Sequence, residues 1–374
     1  MKIVADDNIP GIRVWCASLG DIELVDGRQL RRRQLRAAEV LLVRSVTPVN
    51  AALLAGTPVR FVGTATSGTD HIDLEFLAAR GIQFAAAPGC NSVAVAEYVL
   101  ACCLAYADER QQSLAQLTVG VVGHGHAGSA VVRLLSLLGV NCLVNDPPRA
   151  EHEVGPPYVP LSEVLRADIV TLHVPLMTTG PHPTRNMIGE AQIGSLSSHA
   201  LLINAARGGV LAERDWLESA GAPRRLALDC WIGEPRIDPA LRDACWIASP
   251  HIAGHTVDAR WRATEMLARQ LATFLGASTP RNVRPPPPVP LVLTGDAAMN
   301  PLRPLVFAGC DPRSYTVAMR TRPESPTSEP AQVFDQLRKR LGARREFSAH
   351  TVTGATVNRA QRGLLKALGF TLAA

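Results

Sequence analysis

Three residues in the middle of the chain have side chains that together could remove a hydroxyl proton from an anionic substrate. Arg207 lies in Asn-Ala-Ala-Arg-Gly-Gly, Glu234 in Asp-Cys-Trp-Ile-Gly-Glu-Pro and His251 in Ser-Pro-His-Ile-Ala-Gly. An arginine can hold a carboxylate, a histidine can accept a proton, and a glutamate can orient the histidine. Each residue alone has an ordinary explanation: a surface ion pair, a solvated loop acid or a helix cap. Together they indicate acid–base chemistry.

A glycine-rich loop is the strongest local signal. The segment Gly-His-Gly-His-Ala-Gly at 123–128 follows an apolar run typical of a strand and precedes an apolar helical pattern. In such a turn the first glycine permits the bend, the second lets the backbone approach a pyrophosphate, and the third lets helix and strand pack closely. The pyrophosphate would lie at the helix N-terminus. We therefore predict a dinucleotide site that includes Gly123, Gly125, His126, Ala127 and Gly128.

Asp146 ends the next strand-like run, where it could select the dinucleotide. An aspartate there accepts hydrogen bonds from the adenosine ribose and repels a 2′-phosphate, so NAD is favoured over NADP. Arg149 argues for NADP, but a plain surface arginine is the simpler interpretation. No metal is expected, because the cysteines show no metal-ligand spacing.

From about Val40 to Gly276 the chain resembles the D-isomer-specific 2-hydroxyacid dehydrogenases. The similar segments are the glycine loop, Asn-x-x-Arg-Gly, Asp-x-x-x-x-Glu-Pro and Pro-His-Ile-Ala-Gly. The resemblance implies that Arg207 clamps the substrate, that Glu234 is the orienting acid and that His251 is the acid/base. It also implies further NAD-binding positions, namely Asp146, Val174, Ala205, Ala206, Arg207, Asp229 and Gly254.

Other segments, at 43–47, 61–71, 87–91 and 146–149, resemble one branch of that family, as does the C-terminal part of the chain. That branch oxidises 4-phospho-D-erythronate during pyridoxal 5′-phosphate synthesis. The resemblance implies that Ser45, Thr66 and His255 contact a phosphorylated hydroxy acid. Two residues depart from the expected pattern, because Val174 replaces a threonine and His255 replaces a tyrosine. The valine loses about one hydrogen bond, of order 1 kcal/mol net.

Two other functions stay open at this point. The substrate could be another D-2-hydroxy acid or its keto partner, such as 3-phosphoglycerate, glyoxylate, hydroxypyruvate or D-lactate. Alternatively, the chain could be an NAD(H)-sensing scaffold of the corepressor type. The presence of Arg207, Glu234 and His251 argues against a scaffold, since a pure sensor needs no proton acceptor.

Alternating strands and helices must position these residues. Short apolar runs predict buried parallel strands near 2–5, 40–43, 61–63, 119–122, 142–145, 169–173, 201–204 and 225–228. A long apolar helix is predicted over about 92–107. The fold class is therefore α/β: a Rossmann-type doubly wound parallel sheet, a flavodoxin-like α/β substrate (lid) domain and a small C-terminal α/β domain.

The domain limits follow from these patterns. We predict a substrate-binding lid domain at 1–92 and 253–280, an NAD-binding domain at 93–252, a proline-rich linker at 281–290 and a C-terminal dimerisation domain at 291–374. Proline lacks the N–H donor and fixes φ, so the linker cannot be a helix or a central strand. In the last domain, strands are predicted near 315–319 and 347–352 and helices near 330–341 and 357–368. It shows no catalytic cluster, which favours a role in assembly as a homodimer.

Composition narrows the possible partners. The net charge is only +5, and the basic clusters are not interleaved with aromatic residues, so no nucleic-acid partner is expected. The longest apolar run, 99–107, is too short to span a bilayer, and the N-terminus turns acidic where a signal peptide would be apolar. With eight cysteines expected to be reduced, we predict a cytoplasmic location and no membrane partner.

Overall fold

The computed structural model describes residues 1–152, 155–219, 224–278, 283–285, 287, 290–293, 299, 301–321, 329–354 and 357–373. The chain divides into two compact units. The first unit is Met1–Asn91 with Val257–Pro286, and the second is Ser92–Thr256 with Pro287–Ala374. Much of the predicted linker, namely residues 281, 282, 286, 288 and 289, lies outside the described residues. The domain limits stay predictions.

The first unit contains a five-stranded parallel sheet. Its strands are β1 (Lys2–Asp6), β2 (Asp21–Val25), β3 (Val40–Val43), β4 (Phe61–Thr64) and β5 (Gln83–Ala85). Their order is β2-β1-β3-β4-β5, which is the flavodoxin-like order. Helices cover both faces, so the central strands β3 and β4 are buried throughout. The helical segments are Ile12–Trp15, Arg32–Leu35 (3-10), Ala51–Leu54, Leu74–Ala79 and Val257–Leu275.

The second unit contains a six-stranded parallel sheet. Its strands are β6 (Thr118–Val122), β7 (Asn141–Asn145), β8 (Ile169–Leu172), β9 (Leu201–Asn204), β10 (Arg225–Leu228) and β11 (Ile247–Ala248). The order is β11-β10-β9-β8-β6-β7, and a single bridge from Val144 to Tyr158 extends it beyond β7. From β6 the chain continues to β7 on one side of β6, and it then crosses to β8 on the other side. This reversal is the Rossmann topology, and the predicted fold class is confirmed.

Among the described residues of 92–256, eight helical segments accompany this sheet. They are Ser92–Glu109, Leu114–Gln116 (3-10), His126–Ser136, Pro147–Ala150, Leu161–Val164, Glu190–Ser195, Glu213–Glu218 and Pro239–Ala244. The long helix Ser92–Glu109 is buried from residue 94 to residue 107, which confirms the predicted apolar helix. None of the helices in the described part of the chain is long and apolar enough to cross a membrane.

The C-terminal segment of the second unit, from residue 290 onward, adds a small parallel sheet of β12 (Leu291–Val292), β13 (Thr351–Thr353) and β14 (Thr371–Leu372). Its helical segments are Leu302–Gly309, Pro312–Arg320, Pro330–Leu341, Phe347–Ala349 (3-10) and Arg359–Ala367.

The strand predicted near 315–319 is wrong. Asp311 caps a helix there by accepting a hydrogen bond from the Arg313 backbone N–H, and Pro312 occupies the first turn. Tyr315 and Met319, four residues apart, bury the same helix face. The predicted strand at 347–352 begins as a 3-10 turn, and only its end pairs as β13.

Candidate active site

The glycine loop follows β6 and has the shape of a dinucleotide cradle. Gly123 has a φ of +91°, and a Cβ atom on it would lie 2.8 Å from the carbonyl carbon of His173. A Cβ on Gly128 would lie 1.9 Å from the Gly123 oxygen, so only glycine allows the helix to pack this closely. Around Gly125, by contrast, a Cβ would meet nothing within 4 Å.

The cradle is also electrostatically suited to a pyrophosphate. Helix His126–Ser136 starts directly at Gly125, and no side chain caps its N-terminus. Its first N–H groups therefore remain able to bind phosphate oxygens. Beside this loop, β6 and β8 are neighbours at the point where the strand order reverses, which is where doubly wound sheets bind their ligands.

Asp146 is tied to the glycine loop. Its Oδ2 accepts a hydrogen bond from the His124 backbone N–H at 2.7 Å, and its Oδ1 accepts one from the Arg149 backbone N–H at 3.1 Å. The side chain is only half-buried. Each oxygen keeps a further lone pair, so the carboxylate could still bind ribose hydroxyls. The guanidinium of Arg149 donates to the His124 carbonyl.

His251 and Glu234 form a hydrogen-bonded pair. His251 Nδ1 lies 2.7 Å from Glu234 Oε2, and Glu234 Oε1 accepts the Trp231 backbone N–H at 2.7 Å. Burial raises the pKa of Glu234, but the attraction of His251 and these hydrogen bonds outweigh it and hold the pKa below its usual value. An ionised Glu234 assigns the proton of a neutral imidazole to Nδ1. Nε2 is then the free acceptor.

The backbone of His251 is held in an unusual conformation. Its φ is +54°, in the left-handed region that few residues other than glycine adopt. Its N–H donates to the Asp229 carbonyl at 2.8 Å, and its carbonyl accepts from Arg338 Nε at 3.2 Å. Such strain is found where surrounding contacts over-determine a functional residue.

Asp229 organises the turn that carries His251. Its Oδ1 accepts hydrogen bonds from Ser249 Oγ at 2.6 Å and from the Ile252 N–H at 2.8 Å, and its Oδ2 accepts from the Ala253 N–H at 2.9 Å. Burial raises the pKa of this 1% exposed carboxyl group. Its role in NAD binding stays a prediction, and the structure adds a second role in shaping the turn.

Arg207 lies at the end of β9, beside the segment that carries Glu234. The side chain of Asn204 shapes this turn by donating to the Arg207 carbonyl at 3.0 Å and accepting from the Ala206 N–H at 3.1 Å. A Cβ on Gly208 would lie 2.0 Å from the Trp231 oxygen, so the two turns are in direct backbone contact. Ala205 and Ala206, predicted for NAD, belong to the same turn.

Val174 and His255, the two departures from the family pattern, lie in different places. The Val174 Cγ1 atom would be 2.9 Å from a Cβ on Gly123, so this side chain lies against the cofactor loop. His255 follows Gly254 and packs on the C-terminal segment, because a Cβ on Gly342 would lie 2.3 Å from its Cδ2.

Ser45 and Thr66 belong to the first unit. Ser45 is exposed two residues after β3, and Thr66 follows β4 by the same distance, so both lie at the carboxyl edge of neighbouring strands. Thr66 Oγ1 donates to the Gly68 carbonyl at 2.8 Å. Arg44, beside Ser45, forms an ion pair with Asp6 at 3.0 Å. The substrate contacts of Ser45 and Thr66 stay predictions.

Two residues near the site were not predicted. His173 follows β8, and its Nε2 lies 2.9 Å from Thr171 Oγ1 while its buried Nδ1 has no hydrogen-bond partner among the described residues. Burial lowers the pKa of His173 to about 3, so it is neutral. Its place after a strand at the switch point was a usable signal. The sequence held no such signal for Arg338, because this residue lies 87 residues from His251 in the chain.

Comparison with known proteins identifies the family. The family model of the D-isomer specific 2-hydroxyacid dehydrogenase NAD-binding domain matches residues 97–253. An erythronate-4-phosphate dehydrogenase from Marinobacter nauticus is 42% identical over 383 residues, with 100% of both chains covered. This chain belongs to the D-isomer-specific 2-hydroxyacid dehydrogenase family. Within that family, an erythronate-4-phosphate dehydrogenase from Pseudomonas aeruginosa is 40% identical, with 99% of each chain covered.

A solved structure shows the same fold. The TT0316 protein from Thermus thermophilus superposes with a TM-score of 0.65 at 23% identity, covering 75% of this chain and 99% of that one. The expected family and the expected cofactor, NAD, are confirmed. The open side of Gly125 and the uncapped helix N-terminus fit that cofactor.

Proposed function

We propose that this chain oxidises 4-phospho-D-erythronate with NAD to (R)-3-hydroxy-2-oxo-4-phosphooxybutanoate, a step in pyridoxal 5′-phosphate synthesis. The full-length similarity to relatives named erythronate-4-phosphate dehydrogenase supports this substrate. The observation that carries the chemistry is the 2.7 Å contact between His251 Nδ1 and Glu234 Oε2, on the same sheet as the glycine cradle.

The residues of the second unit supply the acid–base chemistry. His251 Nε2 accepts the proton of the C2 hydroxyl, and Glu234 stabilises the imidazolium that results. The Trp231 N–H fixes the second oxygen of Glu234, so the carboxylate cannot rotate away. Arg207 holds the substrate carboxylate through its guanidinium. Bound NAD supplies the acceptor for the hydride that leaves C2.

We assign the remaining substrate contacts to Ser45, Thr66 and His255. Ser45 and Thr66 offer hydroxyl groups, and His255, in place of a tyrosine, offers an imidazole that can also donate to a phosphate. The cofactor contacts are those at the glycine loop, Asp146, Val174, the Arg207 turn, Asp229 and Gly254.

We further propose a cytoplasmic homodimer that assembles through the C-terminal segment. All eight cysteines are free thiols, and seven of them are buried, as is usual in a reducing compartment. Three large apolar side chains of the C-terminal segment are strongly exposed: Val292 at 69%, Met299 at 68% and Val317 at 68%. Exposed large apolar side chains favour a protein partner where they form one patch.

The substrate proposal is tested by NADH formation with a panel of hydroxy acids. The panel contains 4-phospho-D-erythronate, 3-phosphoglycerate, D-lactate and D-glycerate, each with NAD and with NADP. We expect the highest kcat/KM with 4-phospho-D-erythronate and NAD. Equal or faster turnover of another acid would overturn the substrate assignment. NADH binding without turnover of any acid would instead support the sensing scaffold.

A further inference from the structure

Two arginines of the C-terminal segment hold the turn that carries His251. Arg338 Nε donates to the His251 carbonyl at 3.2 Å, and Arg344 Nη2 donates to the Ala253 carbonyl at 2.7 Å. Arg344 is itself fixed, because it also donates to the Ala94 carbonyl at 2.8 Å and pairs with Glu97 at 3.3 Å. The turn therefore has one anchor at each end.

Arg338 contacts the carbonyl group of His251, a residue whose backbone lies in the left-handed region. His251 adopts a φ of +54°, and its N–H is already held by the Asp229 carbonyl. With Arg338 on its carbonyl, both peptide groups that flank its Cα are fixed. The imidazole is therefore aimed by backbone contacts as well as by Glu234.

Arg338 also brings a positive charge to the His251–Glu234 pair. Its field acts on the carboxyl group of Glu234 and on the thiol of Cys230. The other charged or titratable groups near the pair come from neighbouring segments. They are Asp229 and Cys230 after β10, Arg207 after β9 and Glu213 at the start of helix Glu213–Glu218. Among the C-terminal helices of the described chain, Pro330–Leu341 supplies the cation, Arg338, to this group.

We propose that Arg338 is a positioning residue for the reaction, which fixes the backbone of His251 and thereby aims its imidazole at the reacting hydroxyl group. The C-terminal segment would then complete the active site as well as serve assembly. This inference rests on the proposed function in one respect, that His251 is the proton acceptor.

The test compares Arg338→Met, Arg338→Gln and Arg338→Lys with the control Arg340→Met, which changes an exposed arginine of the same helix. The full-length protein is labelled at its histidine rings, and the His251 signal is assigned by its loss in His251→Asn. NMR then gives the ring chemical shifts and line widths of His251 without any substrate. In parallel, kcat, KM and NADH binding are measured across pH.

Loss of the donor to the His251 carbonyl frees the backbone that aims the ring, so we expect the ring signals of His251 to move or broaden in Arg338→Met and Arg338→Gln. We expect kcat to fall about tenfold while KM and NADH binding change little. Arg338→Lys, which keeps an N–H donor, should restore part of kcat and of the wild-type ring signals, and Arg340→Met should match the wild type.

Unchanged His251 ring signals and an unchanged kcat in both Arg338→Met and Arg338→Gln would overturn the inference. A drop in kcat with unchanged ring signals, or with a matching loss of substrate and NADH binding, would also overturn it, because general damage to the fold would give that result. If the wild type oxidised no hydroxy acid, the proposed function would fail, whereas the His251 ring signals would still decide the role of Arg338.

Discussion

His251 and Glu234 are 17 residues apart in the sequence, and their contact depends on two neighbouring strand ends. Their residue types and positions after strands were enough to predict the pair. The orientation was not predictable, because it depends on the Trp231 N–H that holds one oxygen of Glu234 and leaves the other for His251. At the scale of single residues, the proposed proton transfer depends on the contact between Glu234 Oε2 and His251 Nδ1.

Replacing Glu234 by glutamine should show how much of kcat depends on the carboxylate charge, because the two side chains have nearly the same size. Glu234→Gln keeps the size of the side chain but cannot stabilise an imidazolium, so kcat should fall about a hundredfold or more with NADH binding nearly unchanged. Stopped-flow turnover and NADH fluorescence measure the two effects. Glu218→Gln, at an exposed glutamate, is the control. A kcat within twofold of the wild type would show that the glutamate has no catalytic role.

Asp146 should determine the choice of cofactor. Asp146→Ser removes the charge that repels a 2′-phosphate and can still accept the backbone N–H groups of the loop. We expect the ratio of kcat/KM for NAD to that for NADP to fall by roughly tenfold or more, mainly through a higher KM for NAD. Steady-state kinetics with both cofactors checks this. If the ratio stayed constant, another residue would select the cofactor.

At the scale of elements, the short turns after β9, β10 and β11 carry the residues proposed for catalysis, and direct contacts join these turns to each other. Glu213, at the start of helix Glu213–Glu218, accepts the Ile232 backbone N–H at 2.7 Å and so ties this helix to the segment before Glu234. Burial raises the pKa of Glu213 to about 7, and the charges of Glu234 and Asp238 add to this rise.

This shift makes stability depend on pH in a defined direction. A carboxyl group whose folded pKa is raised contributes full stability below about 4.5, its value when unfolded, and loses that contribution as pH rises through about 7. Glu213→Gln keeps the acceptor for Ile232 but cannot ionise. Above pH 8 its Tm should exceed that of the wild type by roughly 2 °C, the shift expected for about 1 kcal/mol in a unit of roughly 250 residues.

Calorimetry at pH 5 and pH 8.5 measures this difference. At pH 5 the two proteins should melt within about 1 °C of each other, because Glu213 is then protonated in the fold. Glu190→Gln, at an exposed glutamate, should leave the wild-type pH dependence intact. A Glu213→Gln protein that melts below the wild type at both pH values would show that the carboxylate form is the stabilising one.

The elements differ in how well sequence predicts them. Buried parallel strands such as β3 and β9 are short, continuous apolar runs, and those predictions are confirmed. The helix Pro312–Arg320 was mistaken for a strand, because its β-branched and aromatic residues outweighed the Asp311-Pro312 start signal. The contact of Arg338 with His251 depends on tertiary packing over 87 residues, which no local pattern encodes.

At the scale of the whole molecule, the residues predicted to bind or transform the substrate belong to both units. The first has a flavodoxin-like sheet with Ser45 and Thr66 at its carboxyl edge, and the second has the Rossmann sheet with the cofactor loop and the acid–base pair. The C-terminal segment clusters with the second unit. Its contacts with the His251 turn and its exposed apolar side chains are the basis of the roles proposed for it in positioning and in assembly.

The assembly prediction is tested on the helix Pro312–Arg320. Val317→Asp places a charge on a side chain that is 68% exposed, so it should leave the fold intact but weaken a contact between copies. We expect the dimer dissociation constant to rise at least about tenfold. Light scattering with size exclusion measures the mass, and Val14→Asp, at an exposed position of the first unit, is the control. A variant as dimeric as the wild type would move the interface elsewhere.

The burial of the cysteines makes the protein suitable for site-specific fluorescent labelling. With seven thiols buried and only Cys142 partly accessible, a Cys142→Ser protein offers almost no background to maleimide dyes. Single cysteines introduced at Val14 and Met177, which are 54% and 45% exposed and lie in different units, could then carry a donor and an acceptor fluorophore. Energy transfer between them would report, molecule by molecule, whether the units move when NAD and substrate bind.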